Sequence, residues 1–97
     1  MSKKRLRLQP IEYRFYLAHP EYRGRHAYDA IAVPVSEIDP WNNGRCFVRY
    51  KAVNGSPVRP ALVDALLSKE MLLDHFLAHT KEDVAAGFPE LVRLLGA

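Results

Sequence analysis

Ile11-Glu12-Tyr13-Arg14-Phe15-Tyr16-Leu17 decides the fold class. Ile11, Tyr13, Phe15 and Leu17 occupy one parity, while Glu12, Arg14 and Tyr16 occupy the other. A strand turns successive side chains to opposite faces, so this pattern predicts a half-buried β-strand. Upstream, Leu6 and Leu8 alternate on the opposite parity. Pro10 sits at the change, where a bulge or break would restore one apolar face.

Downstream, His19 to Arg25 reads as a loop punctuated by Pro20 and Gly24. Residues 27–35 are apolar and predict a second strand, with Pro34 at an edge or a strand end. Asp39-Pro40-Trp41-Asn42-Asn43-Gly44 is a turn, because Asn-Gly accepts positive φ at both central positions. Residues 45–53 predict a third strand, with Cys46, Val48, Tyr50 and Ala52 on one face and Arg45, Phe47, Arg49 and Lys51 on the other. Asn54-Gly55 repeats the turn signal, and any fourth strand near Ser56–Arg59 would be brief.

From Pro60 the apolar spacing lengthens to a helical period. Leu62, Leu66, Leu73 and Leu77 form a stripe, joined by Val63, Leu67 and Phe76. Ser68 leaves two readings open: one long helix over 60–79, or two helices with Ser68 capping the second. Thr80-Lys81-Glu82-Asp83 predicts the start of a further helix, Gly87 its end, and Pro89 the start of a last one. The expectation is an α+β fold. A small antiparallel meander of three or four strands would fill the first 60 residues, with two to four C-terminal helices packed on one face.

The chain has 97 residues, suiting a single domain over 1–97. Apolar residues make up 48% and charged residues 26%, which excludes a disordered composition. No apolar run approaches a membrane span, so no membrane partner is expected. Residues 1–8 are basic without a secretory apolar stretch and read as a flexible basic arm. A single cysteine, Cys46, precludes an intramolecular disulfide. These features together predict a cytoplasmic protein. Charge is uneven: residues 1–59 carry 11 Lys/Arg and 5 Asp/Glu, a net of +6. Residues 60–97 carry 3 and 6, a net of −3, and the two sum to +3. The basic half therefore predicts an acidic partner.

If the helices cover the face of Ile11, Tyr13, Phe15, Leu17, Cys46, Val48 and Tyr50, the other sheet face presents Arg14, Tyr16, Arg45, Phe47, Arg49 and Lys51. Cations mixed with aromatics suit an acidic protein surface or single-stranded nucleic acid. Arg23 and Arg25, beside Tyr22 and His26, form a second candidate anionic site. Trp41 at its turn either folds onto the core or anchors a partner.

His75 and His79 are spaced i, i+4 and would share a helix face as a weak metal pair. His19 and His26 could converge on them from the loop. No glutamate follows His75 in the zinc-protease manner, and no nucleophile elbow or glycine-rich phosphate loop is present. Cys46, facing inward, reads as a small hydrophobe. No catalytic residue and no cofactor are expected.

Residues 76–91, Phe-Leu-Ala-His-Thr-Lys-Glu-Asp-Val-Ala-Ala-Gly-Phe-Pro-Glu-Leu, resemble the helix-turn-helix segment of certain antitoxin-like domains. That resemblance implies a DNA-binding regulator. By size and composition the chain is also similar in class to small accessory proteins of phages and mobile elements, many of which inhibit host complexes. The expected function is a non-enzymatic binding protein acting on an acidic protein surface or a multiprotein complex through its basic, aromatic sheet face. Nucleic-acid binding by the same face is the alternative, and a homodimer is plausible through an exposed edge strand.

Overall fold

The computed structural model describes residues 11–38 and 46–96. The N-terminal arm, Arg45, Trp41 and the Asn43-Gly44 turn lie outside the described residues. The fold is α+β, as expected, with a five-stranded antiparallel sheet. The strands are β1 (Tyr13–Ala18), β2 (Ala30–Pro34), β3 (Phe47–Val53), β4 (Leu62–Ser68) and β5 (Phe76–His79). The helices are α1 (Val35–Ile38), α2 (Lys69–His75), α3 (Lys81–Gly87) and α4 (Pro89–Leu94). Spatial order is β4-β3-β2-β1-β5. Among the described residues, no helix is long and apolar enough to cross a membrane.

β1 runs where the alternation places it, and Pro34 ends β2. The largest departure is at residues 62–68, expected to be helical and found in β4. Leu and Ala favour helices, but propensity is a weak prior that tertiary pairing overrides. All seven β4 residues pair with β3, from Phe47↔Ser68 to Val53↔Leu62. The loop between them is closed by Asn54. Its N–H donates to the Ala61 carbonyl at 3.0 Å, and its Oδ1 accepts from the N–H groups of Ser56 and Ala61, each at 3.2 Å. Pro57 and Pro60 therefore sit in a loop, not at a helix start. Ser68 does cap α2, its Oγ accepting the Met71 N–H at 3.1 Å. Thr80 caps α3 through Asp83 N–H at 3.1 Å. Gly87 ends α3 and Pro89 opens α4.

The helices cover both faces of the sheet, not one. On the first face, Tyr16, Ala18, Ile31, Val33, Val48, Tyr50, Ala52 and Leu67 pack with Ile38 of α1 and Leu72 of α2. On the second, Phe15, Ala30 and Ala32 pack with Val84 of α3 and Leu91 of α4. α2 carries the chain from the β4 edge to the β5 edge across the first face, burying Leu72 completely. β2 is consequently buried on both sides over Ala30–Val33, which explains its continuous apolar run.

Candidate functional site

Cross-strand register decides which side chains share a face. Phe15 pairs with Ala32, Tyr16 with Ile31, and Ala32 with Lys51. Directly paired residues point the same way. Lys51, Arg49 and Phe47 therefore lie on the second face with Phe15. Arg14 and Tyr16 lie on the first, with Tyr50 and Ala52. The single basic, aromatic face expected from the sequence is divided between opposite sides of the sheet. Tyr16 is buried at 8% exposure, and burial raises its phenol pKa, with Arg14 partly opposing. Alternation fixes facing within one strand but not the phase between strands; where both faces are covered, both parities are apolar. Cys46 also departs from expectation. It precedes β3 and is exposed.

The second face is covered unevenly. α3 and α4 lie over β1, β2 and the Val53–Leu62 end of the hairpin. Among the described residues, no helix covers the opposite end of β3 and β4 on this face. There Phe47 is 54% exposed and Leu66 63% exposed, and Arg49 stands directly opposite Leu66. Beside them Lys51 donates to Asp64 Oδ1 at 2.8 Å across the paired strands. That bond, with the charges of Lys51 and Arg49, holds the Asp64 carboxyl below its ordinary range. The corner thus combines one aromatic and one aliphatic side chain around a guanidinium, bordered by an ion pair. Aromatic residues and arginine are the usual anchors of protein interfaces.

The predicted pairing of His75 with His79 does not form. α2 ends at His75 because Phe76 turns extended, φ −126° and ψ 148°, to pair with Ala18 of β1. His79 stands in β5, and its Nδ1 meets Asp83 Oδ2 at 3.4 Å. Hydrogen bonding from His79 lowers the Asp83 pKa. His75 instead meets a histidine from the loop, its Nδ1 lying 3.0 Å from His26 Nε2. Tyr22 stacks on the His75 ring at 3.9 Å, and His19 packs edge-on against Tyr22 at 6.3 Å. Among the described residues, no group of three or more His, Cys, Asp or Glu side chains is arranged to hold a metal. The His26 pKa is lowered, first by burial and then by His75, with Asp29 partly opposing. The cluster fastens the loop to α2, helped by the His19 N–H donating to the His75 carbonyl at 2.8 Å.

Arg23 and Arg25 are exposed on this loop. Arg23 Nε donates to the Ala18 carbonyl at 3.1 Å, so its guanidinium helps hold the loop against β1. Gly24 adopts φ +80°, and its N–H donates to Asp29 Oδ1 at 3.0 Å. These cations lie on a different part of the molecule from Arg49 and Lys51.

A cleft of 410 Å³, unsuspected from the sequence, opens at the sheet end between Tyr28–Ala30, Val53–Gly55 and the α3–α4 junction. Its volume suits a small ligand. Both of its carboxylates already have partners, Asp29 with Gly24 and Glu90 with Arg93.

The segment resembling a helix-turn-helix begins with a strand, Phe76–His79, and continues into α3 and α4. α4 has six residues and buries Leu91 against the sheet. The fold and the open corner define a small α+β protein with one half-covered sheet. No protein-family model, curated protein or solved structure matches the chain.

Proposed function

We propose that this chain is a non-enzymatic binding protein whose open β3–β4 corner docks on an acidic protein surface. In the role suggested by its class, it inhibits or regulates a host complex by occlusion. The observation that carries this reading is the exposure of Phe47 and Leu66 on either side of Arg49, beyond the part of that sheet face covered by α3 and α4. An apolar and guanidinium centre is the composition of a binding hot spot. The Lys51–Asp64 pair at its border contributes orientation more than affinity. Nucleic-acid binding is supported less well by the same corner, because Asp64 occupies Lys51 and repels phosphate.

The test is affinity capture from the source cells with and without nuclease, comparing the wild type with Phe47→Ser and Arg49→Glu. The expected result is nuclease-resistant capture of an acidic protein, lost in both variants. Capture that vanishes with nuclease, or survives both substitutions, contradicts the reading.

A further inference from the structure

We infer that β4 is a pairing edge for a second copy of this chain, joining two five-stranded sheets into one. This rests on the outward backbone groups of β4 and on its register, and it needs no outside partner, so it stands or falls separately from the proposed function.

The hairpin's closing bonds fix which backbone groups of β4 point where. The Asn54 N–H donates to the Ala61 carbonyl at 3.0 Å, and the Lys69 N–H donates to the Cys46 carbonyl at 2.8 Å. Ala61 and Lys69 therefore turn toward β3. In an antiparallel ladder successive residues alternate direction. Val63, Ala65 and Leu67 consequently bond to β3, while Leu62, Asp64, Leu66 and Ser68 direct both N–H and C=O outward. Among the described residues, no strand lies beyond β4.

Strand edges are ordinarily guarded by short length, proline, lysine or a bulge. The opposite edge, β5, has four residues. β4 has seven, Leu-Val-Asp-Ala-Leu-Leu-Ser, without proline or lysine and paired to β3 without a break, and its one charge, Asp64, is already paired with Lys51.

The strand is also complementary to itself. Antiparallel pairing about a twofold at Ala65 uses all seven residues. It sets Leu62 against Ser68, Val63 against Leu67 and Asp64 against Leu66. Each outward-directed residue then meets another, and each side chain meets one on its own face. Val63, Ala65 and Leu67 would extend the first-face core from one copy into the next. On the second face, Asp64 of each copy would lie between its own Lys51 and the other copy's Leu66, with that copy's Arg49 beyond. A closed twofold of this kind repeats one surface on both copies, and it leaves both open corners side by side and accessible.

The register makes the test sign-specific. Leu66→Asp would oppose two carboxylates twice per dimer, and Leu66→Lys would oppose Asp64 with an ammonium twice. Leu66 is exposed, so neither change disturbs the monomer core; each new charge also meets Arg49 directly opposite in the same hairpin, and matched circular dichroism and melting curves separate that effect from association. Sedimentation equilibrium is run on the full chain over about a hundredfold concentration range, with amide exchange read at β4. The inference expects a wild-type dimer with slowed β4 exchange at high concentration. Leu66→Asp should weaken association by about tenfold or more, and Leu66→Lys should preserve or tighten it. A monomer throughout, or equal effects of the two substitutions, overturns it. A monomer that still captures its partner would overturn the dimer alone, and a dimer that captures nothing would overturn the proposed function alone.

Discussion

β2 and β3 are neighbours in one sheet, yet they are covered differently. β2 is apolar at four successive positions, Ala30 to Val33, and buried at all of them. β3 alternates, with Val48, Tyr50 and Ala52 buried and Phe47 and Arg49 exposed. The difference marks where helices end. α1 and α2 cover the first face as far as Leu67 of β4, whereas α3 and α4 reach only the near half of the second. A strand whose two parities are both apolar is a covered centre; one whose parities differ borders solvent.

The largest effect that would break this contrast comes from truncating the helices' contacts. Leu72→Ala and Leu91→Ala should each lose about 2–5 kcal/mol, as buried leucines do. Leu66→Ala, on the open corner, should change stability by less than about 0.5 kcal/mol. Urea unfolding checks all three. Similar losses at Leu66 and Leu91 would mean that the second face is covered evenly.

A smaller effect concerns the caps that start the covering helices. Ser68→Ala and Thr80→Ala should each cost about 1 kcal/mol by the same measurement. Ser68→Ala should loosen α2 on the first face and Thr80→Ala should loosen α3 on the second, with amide exchange separating the two.

The smallest effect is pH-dependent. His26 has a folded pKa below its ordinary value of 6.5. The unfolded chain therefore binds more protons in that range, so the stabilisation is present above 6.5 and is lost as pH falls below it. Melting temperature should decline from about pH 7 to about pH 5, and His26→Asn should flatten that decline. An unchanged slope would remove the His26–His75 pair from the account.

The α+β class, β1, the end of β2 and the Thr80 cap were legible because each rests on local chemistry, whereas the sequence leaves Ser68 between a mid-helix position and a cap. Alternation at Tyr13–Leu17 is a property of one strand, and Thr80 bonds a backbone group three residues away. Two things were not legible. The phase of β1 against β3 depends on pairing through β2, so Tyr16 could be assigned to the wrong face. β4 has a helix-like composition and becomes a strand only because Asn54 folds it back on β3. Of the candidate residues, Phe47, Arg49 and Lys51 stay together. Arg14 and Tyr16 move to the other face, and Arg23 and Arg25 belong to the loop held by the His26–His75 contact. Leu66 joined the site only through its pairing with Arg49. His26 and His75, 49 residues apart, meet because α2 carries the chain across the sheet to the β5 edge, beside the loop that follows β1.

We propose that this protein acts through the corner of the second face that α3 and α4 leave uncovered. Hydroxyl-radical footprinting of the full chain, free and bound to its captured partner, tests it most directly. The account predicts that Phe47 is oxidised readily in the free protein and protected in the complex, while Tyr16 and Phe15 stay unreactive in both. Protection centred on Tyr22 and the loop around Arg23 and Arg25, with Phe47 unchanged, would contradict it.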